Sequence, residues 1–549
     1  MRRSEWRANG RGRVYPTPIS EPRFRANRKE YAIIRSRSET RLSALPLISC
    51  CLLFSCALPA SRTPGTESLA SARERSGGEG IPTIEVTVSP VTNLFHWVDH
   101  LAGTSYGKTT SVYRRHWIER NGRLDESDRR ALLAFRRARV EGTRSHAIGL
   151  PEPSLGRCMP EPYEKPNARA RLSIAAMESK SIDELVSKSR AFLSAETVVD
   201  LEYALRHFEP AWTRIWQESE FLHAFREKTE RFVQSPEVQD LVGRIVAYLG
   251  ADVPATSSAH ISLVALLEYG PTHAEANGDH LLLEIRPDDD PQDQVQVIFH
   301  ELAHFLMRRL PDERRQTLAR AFLAKGPRGA LTWNMLREAL PTALGQGVAQ
   351  ARLAPEGFSL RQRWYHLPAI DDVAHRIYPF LLESIRSGAS LDVSDIESFV
   401  RAVDEQIYSA APLLHFLPDA VLLSSSGDTP WLQRWRAAQG GMNQRVASTE
   451  SLPGGLASLL QSFECLPFVL FTGHEKDGTY DLPPDLVDQT ANTLLETQGG
   501  GSYAVPLRRR SGAPSLLVLL DPNATIGEVQ RNLARVRGWP KHPIKVGAP

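Results

Sequence analysis

The residues His300-Glu301-Leu302-Ala303-His304 constrain this chain of 549 residues more than any other part of its sequence. Two histidines four residues apart lie about 40° apart around an α-helix, so both imidazoles can reach one metal ion. Apolar residues recur at helical spacing from Gln292 to Leu310 and predict one buried side for this helix. The segment is therefore predicted to be a helix that offers two ligands to one ion, and Zn²⁺ is the ion we expect.

Glu301 lies about 100° further around the same helix from His300. Its carboxylate can contact a water molecule on the metal without being forced to ligate the metal itself. The motif therefore supplies two ligands and a general base. The acidic residues and proline of 288–291 precede the motif, as they should at a helix start. The alternative interpretation is a helix whose two histidines are solvated or satisfied within the core.

Two segments upstream of the motif read as strands, His260 to Tyr269 and His280 to Arg286. The turn-favouring pair Asn277-Gly278 lies between them. Strands that run into an H-E-x-x-H helix resemble the zincin metallopeptidases, and their gluzincin branch in particular, over about residues 261–347. The resemblance implies an α+β fold: a mainly helical metallopeptidase domain with a small edge sheet before the H-E-x-x-H helix, which holds an extended peptide or protein substrate.

A catalytic zinc site usually has a third protein ligand and leaves the fourth position open. The residues after His304 lack the glycine and histidine of the metzincin branch. The gluzincin branch takes a glutamate from a later helix, and Glu338 lies in an apolar helical segment where an unpaired carboxylate would be costly. Pro341 departs from this pattern because it removes a helical hydrogen bond and is expected to kink the helix. The rival third ligands are Glu313, Asp371, Asp372 and His366.

Peptide hydrolysis also needs a donor that stabilises the developing oxyanion. The gluzincin resemblance implies a tyrosine or histidine from a later helix, and we expect Tyr378 to fill this role, with His366 as the second choice. No acidic motif of the kind that grips a substrate amine precedes the helix, which favours an endopeptidase over an aminopeptidase.

A second pair of histidines, His96 and His100, has the same helical spacing and could also share a metal. The string from His96 to His100 resembles the H-x-x-E-H of inverzincins, but Asp99 stands where the catalytic glutamate should be. An aspartate is one methylene shorter, and the neighbouring residues are apolar. Packed or solvated histidines are the alternative interpretation.

The N-terminal segment is strongly basic. Residues 1–41 hold twelve Lys/Arg and four Glu, so they carry +8 and the remainder carries −6. The apolar stretch from Leu42 to Ala60 follows directly, and it is too short and too often interrupted by proline and cysteine to span a membrane comfortably. We therefore interpret residues 1–60 as an export signal rather than a nucleic-acid-binding arm. The basic part is over-long, and one explanation is that the true start codon lies downstream of Met1.

Cysteine and small residues within this signal indicate how it is processed. Leu53-Phe54-Ser55-Cys56 resembles a lipobox that would lipidate Cys56, and a second match ends at Cys50. Cleavage after Ala57 or Ala60 would instead give a secreted protein. The predicted location is extracytoplasmic, with a lipid anchor as the sole membrane contact. The body keeps only Cys158 and Cys465, which excludes a cysteine-rich metal site.

Composition divides the rest of the chain. Residues 61–80 read as a flexible tether and 81–430 as the metallopeptidase domain, with a helical subdomain over about 175–249 that walls one side of the cleft. Residues 450–549 read as a small α/β domain of unknown role, with strands at 466–472, 502–507 and 515–520 and a final helix to Val536.

The sequence thus predicts an exported zinc endopeptidase that hydrolyses peptide bonds. Zn²⁺ would be held by His300, His304 and Glu338, with Glu301 as the general base and Tyr378 or His366 at the oxyanion. The alternative is a surface-anchored binding or scaffold lipoprotein whose zinc site is vestigial or structural. A structural site would be closed by a fourth protein ligand, whereas a catalytic site keeps a position for water.

Overall fold

A computed structural model describes residues 80–105, 109–144, 168–268, 272–403, 421–424, 445–448, 468–473, 502–508, 514–520, 526–537, 542 and 544–546. The predictions about the export signal, the lipobox, almost all of the tether and the two body cysteines lie outside these residues.

Helices make up most of the described chain. In chain order they are α1 (Pro90–Ala102), α2 (Thr110–Asn121), α3 (Glu126–Arg144), α4 (Ala168–Met177), α5 (Ile182–Ser189), α6 (Ala195–Trp216), α7 (Phe221–Val233), α8 (Pro236–Leu249), α9 (Val295–Arg308), α10 (Asp312–Leu323), α11 (Gly326–Thr342), α12 (Gln350–Leu353), α13 (Pro368–Ser387), α14 (Val393–Ala402) and α15 (Ile526–Arg535). A π-helical segment, Ala343–Ala349, joins α11 to α12. Two 3₁₀ turns, Gln217–Ser219 and Pro355–Gly357, complete the set.

The first sheet lies immediately before the H-E-x-x-H helix. Its strands are β1 (Thr83–Val88), β2 (Ser258–Ala265), β3 (Ala274–Asn277) and β4 (His280–Ile285), in the order β1-β2-β4-β3. The first three in that order are parallel, and β3 pairs antiparallel with β4 at the edge. The predicted Asn-Gly turn makes this hairpin, and Gly278 adopts a φ of +59° that suits glycine.

Helix α1 is buried on every side, from Val91 to Ala102. Its polar side chains must therefore find partners within the protein, although Nε1 of Trp97 has none among the described residues. The Asn93 side chain donates to the carbonyl of Leu263 and accepts from the amide of Ala265, which fastens α1 to the end of β2. The described residues form two large apolar cores. One surrounds α1 and α6, and the other lies around the sheet and α9.

The H-E-x-x-H residues lie on α9, as the spacing predicts, although the helix begins at Val295, beyond the acidic residues taken as its start. Pro341 lies inside α11, and the chain continues from Thr342 into the π-helical segment. A π-helix often marks a functional region, because its wide turn displaces the backbone from a regular helix.

The C-terminal part forms a second sheet. Its strands are β5 (Val421–Ser424), β6 (Arg445–Ser448), β7 (Phe468–Gly473), β8 (Tyr503–Arg508), β9 (Pro514–Leu520) and β10 (Ile544–Lys545), in the order β10-β8-β9-β7-β5-β6. The strands from β9 to β6 are parallel, and β8 and β10 are antiparallel additions. Leu516 and Val518 of β9 share the apolar core that surrounds α9, so this sheet packs directly on the helical part.

The described chain is therefore a mixed α+β protein in which helices predominate and the sheets are small. The last three predicted strands and the final helix are confirmed within a few residues. Helices α2 and α3 are rich in charged residues, and the sequence analysis did not predict either of them. Among the described residues, no helix combines the length and apolar character needed to cross a bilayer.

Candidate metal centre

Three side chains from two helices converge at the middle of α9. Nε2 of His300 lies 3.2 Å from Nε2 of His304. Oε2 of Glu338, on α11, lies 3.5 Å from the first nitrogen and 3.6 Å from the second. The fold thus brings together the three residues that the sequence analysis named as ligands, although Glu338 lies 34 positions after His304 in the sequence.

These distances suit a tetrahedral ion. Zn²⁺ bound to nitrogen and oxygen at about 2.0–2.2 Å places neighbouring ligand atoms about 3.3–3.6 Å apart. The three observed separations, 3.2, 3.5 and 3.6 Å, lie close to that edge length. The donor set of two imidazoles and a carboxylate is also one that binds zinc and similar divalent metals. The residues present therefore fit the metal that the motif implies.

The cluster is partly accessible. The side chains of His300, His304 and Glu338 are 10%, 14% and 16% exposed, so they are mostly buried but not sealed. A site of this kind holds its ligands in place while leaving one side for water or substrate, which is what a catalytic metal needs.

Burial and charge shift the proton affinities of the cluster in opposite directions. Burial raises the pKa of Glu338, but the nearby His304 and the hydrogen bonds from both histidines outweigh it, so this pKa falls well below its ordinary value. Burial lowers the pKa of His300, but the hydrogen bond with Glu338 and the charge of Glu301 outweigh it and raise this pKa. The site thus favours an ionised carboxylate and concentrates positive charge beside it.

Glu301 is almost fully buried, on the same helix as the two histidines. Its negative charge contributes to the raised pKa of His300 and also to that of His273, which immediately precedes β3. Arg308, the last residue of α9, ties this helix to the hairpin by donating to the carbonyls of Ala276 and Gly278 at 2.7 and 3.0 Å. The edge strand is thereby fixed relative to Glu301.

The π-helical segment lies directly against α9. A Cβ at Gly345 would lie 2.3 Å from the carbonyl oxygen of Gln296 and 2.8 Å from the amide nitrogen of His300, so only glycine allows this approach. The next residue, Gln346, contributes to the raised pKa of His300. Nδ1 of His300 and Oε1 of Gln346 are both buried without a hydrogen-bond partner among the described residues. The Gly345-Gln346-Gly347 string is unusual within an apolar helix, but it does not by itself show that the segment is π-helical or that it contacts His300.

Tyr365 completes the site, and the sequence analysis did not select it. Its hydroxyl donates to Oε2 of Glu338 at 3.1 Å. Its ring is nearly parallel to the imidazole of His300, with 6.1 Å between centroids. It belongs to the aromatic run 364–366, in which the sequence analysis names only His366, as the second choice after Tyr378, for the oxyanion donor. Sequence spacing does not show which member of such a run points at a helix elsewhere in the chain.

Tyr378, the first choice for the oxyanion, packs in a different environment. Its ring contacts Trp364 and Phe358, and a Cβ at Gly347 would lie 2.6 Å from it. Burial raises the pKa of its hydroxyl. The His366 ring lies beside Tyr365, with 4.5 Å between centroids. The structure therefore brings Tyr365, rather than Tyr378, into hydrogen-bonding contact with the cluster.

The rival third ligands have other surroundings. Glu313 is exposed on the first turn of α10. Oδ1 of Asp371 accepts from the backbone amides of Trp364 and Tyr365 at 2.7 and 2.8 Å, so this carboxylate holds the loop that presents Tyr365. Of the acidic residues considered from the sequence, Glu338 is the one grouped with His300 and His304.

A second group of the same composition lies in the core. His96 and His100 of α1 meet Glu284 of β4, and their ligand atoms lie within 4.8 Å of one another. Asp99, which stands between the two histidines, is bound instead to Arg139 at 2.8 and 3.1 Å. Asp99 therefore does not take the place of the inverzincin glutamate, and the carboxylate that meets the two histidines is that of Glu284. The described residues thus contain two groups of His, His and Glu that could hold a metal.

The chain matches no family model, and neither the curated proteins nor the solved structures include one that is significantly similar to it.

Proposed function

We propose that this protein is a zinc-dependent endopeptidase of gluzincin type that acts outside the cytoplasm. The observation that carries the proposal is the convergence of His300, His304 and Glu338 at the spacing of a tetrahedral metal, with Glu301 on the same helix. The export part rests on the basic and apolar character of residues 1–60 alone.

A bound Zn²⁺ would lower the pKa of water towards neutrality and polarise the substrate carbonyl. Glu301 accepts the proton of the attacking water and passes it to the leaving amine, so one carboxylate serves first as base and then as acid. Glu301 is almost fully buried on the helix that carries both histidines, so the helix fixes its position relative to them.

Tyr365 is our proposal for the group that stabilises the oxyanion. In the absence of substrate its hydroxyl is hydrogen-bonded to Glu338, which keeps the donor within reach of the metal position. A modest rotation would redirect the hydroxyl to a carbonyl oxygen bound there. Tyr378 and His366 remain the choices made from the sequence, and Tyr365 replaces them as the first candidate because of this contact.

Gln346 is proposed to orient His300. A metal-bound histidine usually donates its other ring N–H to an acceptor, which fixes the tautomer. Nδ1 of His300 and Oε1 of Gln346 are two buried groups that each lack a partner among the described residues. A small rotation of the glutamine would join them and leave Nε2 of His300 free for the metal.

The substrate is proposed to be an extended peptide beside β3. This strand lies at the edge of its sheet and packs against α9, and Arg308 holds the two together. Extended peptides bind at sheet edges through backbone hydrogen bonds, which are independent of sequence. A peptide in this position would run past Glu301, and nothing in the arrangement requires a free peptide terminus.

The substitution Glu301→Gln tests the proposal. It should leave zinc content and fold unchanged and lower the hydrolysis of a mixed peptide library by at least about 10²-fold, because general acid-base help contributes roughly 10²–10⁴. Glu313→Gln on the exposed face of α10 is the matched control and should keep full activity.

Two results would oppose the proposal. Equal, chelator-insensitive cleavage by the wild type and the Glu301→Gln variant would assign the activity to a contaminant. A fully zinc-loaded wild type that cleaves nothing in a broad library would favour the alternative of a binding or scaffold protein.

A further inference from the structure

The second His-His-Glu group has the geometry of a metal site in its own right. Nε2 of His96 lies 2.9 Å from Oε1 of Glu284, and Nε2 of His100 lies 3.5 Å from the same oxygen. Three ligand atoms on two elements thus lie within 4.8 Å of one another, as in the cluster on α9. The two separations from Oε1 of Glu284 lie near the edge of a tetrahedral zinc site, about 3.3–3.6 Å.

A fourth polar atom, the hydroxyl oxygen of Thr109, lies beside these three. The hydroxyl oxygen of Thr109 is 2.9 Å from Oε1 of Glu284 and 3.5 Å from Nε2 of His100. All four residues are between 0% and 5% exposed. This centre is therefore closed to solvent, in contrast to the partly exposed cluster of His300, and a closed centre is characteristic of structural metal sites.

The buried carboxylate of Glu284 needs a counter-charge. It accepts from the Thr109 hydroxyl and from the backbone amide of His273, which are neutral donors. Arg139, a buried cation of α3, is bound to Asp99. The groups that face Glu284 and can carry a positive charge are therefore imidazoles: His96, and His273, whose pKa the charge of Glu284 helps to raise. An ionised carboxylate in an apolar core is costly unless a positive group or a metal lies beside it.

We propose that His96, His100 and Glu284 hold a second divalent metal ion, Zn²⁺ by the chemistry of the ligands, in a structural rather than a catalytic role. This site is independent of the proposed peptidase function. Asp99, the carboxylate that stands between the two histidines, is engaged by Arg139 and is not available as a general base.

The location of the site indicates what it stabilises. His96 and His100 belong to the fully buried α1, Thr109 immediately precedes α2, and Glu284 lies on β4, whose hairpin partner is the edge strand β3. A metal at this point would join the helical half of the protein to the sheet that flanks the catalytic cluster. Folding and metal binding are coupled at such sites, so its ion should be slow to leave.

The double variant His300→Ala/His304→Ala tests the second site without disturbing its residues. After dialysis against Zn²⁺-free buffer, the wild type should hold about two Zn²⁺ per chain and the double variant about one. Adding Glu284→Gln should remove the remaining ion, whereas Glu268→Gln, a control on a carboxylate paired with Arg115, should not. X-ray absorption of the double variant should show two imidazoles and oxygen around zinc.

The outcomes distinguish the two sites. A folded double variant without zinc, or one whose zinc survives Glu284→Gln, overturns the second site and leaves a metal-free hydrogen-bond network. If the Glu284→Gln variant does not fold, the absorption spectrum decides: a shell without two imidazoles overturns the proposal. Zinc that is lost with Glu284→Gln but unaffected by the histidine pair of α9 would support this site and contradict the catalytic one.

Discussion

The hydroxyl of Tyr365 donates to Oε2 of Glu338 at 3.1 Å, on the same oxygen that faces both histidines of α9. This contact links the loop before α13 to the candidate metal-binding group of His300, His304 and Glu338. Because the carboxylate already has two imidazole neighbours, the phenol can leave it when a better acceptor arrives, without stranding a buried charge.

Tyr365→Phe should therefore lower kcat by about 10²–10³-fold, the usual cost of removing one oxyanion donor, with zinc content unchanged. Tyr378→Phe is the matched control, since it deletes the same atom from a ring packed on Trp364. Steady-state kinetics and metal analysis on both variants give the comparison. A larger loss for Tyr378→Phe would return the oxyanion role to the residue chosen from the sequence.

The grouping of His300, His304 and Glu338 could be predicted because the features that single out each residue are local. The spacing of His300 and His304 needs only the geometry of one helix, and Glu338 is conspicuous as a carboxylate among apolar residues. The strands before α9 and the last helix were recognisable for the same reason: periodicity and turn residues act over a few positions.

The remaining site residues could not be predicted because their positions depend on tertiary packing. Glu284 reads as an ordinary member of a buried strand, and its approach to His96 depends on where α1 docks on the sheet. The π-helical segment depends on the contact of Gly345 with α9, which no periodicity encodes. The helical spacing of His96 and His100 is visible in the sequence, but Glu284, which the fold brings to them, lies 184 residues beyond His100.

Glu338→Gln should weaken zinc binding by more than the roughly 10–100-fold that loss of an outer partner costs, because it removes the charged ligand itself. Competition with a fluorescent zinc chelator measures the change at the site of α9. Glu313→Gln should bind zinc as the wild type does. Equal affinities for all three proteins would show that the third ligand is misassigned.

Gly345→Ala should disturb the cluster from its rear. The new methyl group would overlap the carbonyl of Gln296 and the amide of His300, both of which are backbone atoms that cannot move aside cheaply. We expect destabilisation of about 1–3 kcal/mol, the usual cost of overpacking, together with weaker zinc binding. Gly243→Ala in α8 is the control, since its new methyl meets only the flexible end of Ile81. Thermal unfolding with and without zinc would show the difference, and equal behaviour of the two variants would contradict the close approach.

Asp99→Asn should destabilise the protein by about 3–5 kcal/mol at pH 7, because it leaves the buried guanidinium of Arg139 without its counter-ion. Burial raises the pKa of Asp99, but the charges of Arg139 and Arg169 outweigh it, so the folded-state pKa lies below the ordinary value of 3.8.

The lowered pKa of Asp99 determines how its contribution to the unfolding free energy changes with pH. A carboxyl with a depressed pKa contributes stability that is complete above its unfolded pKa and is lost as the pH falls towards the folded one. The difference in unfolding free energy between the wild type and the Asn variant should therefore be constant from pH 7 to about pH 5 and narrow below about pH 4. Denaturant unfolding at pH 7, 5 and 3.5 measures it in zinc-saturated buffer. Asp183→Asn, which removes an exposed carboxylate paired with Arg206, should cost less than about 1 kcal/mol. A difference for Asp99→Asn that is as small as this control, or that stays unchanged at pH 3.5, would contradict the role of the buried pair.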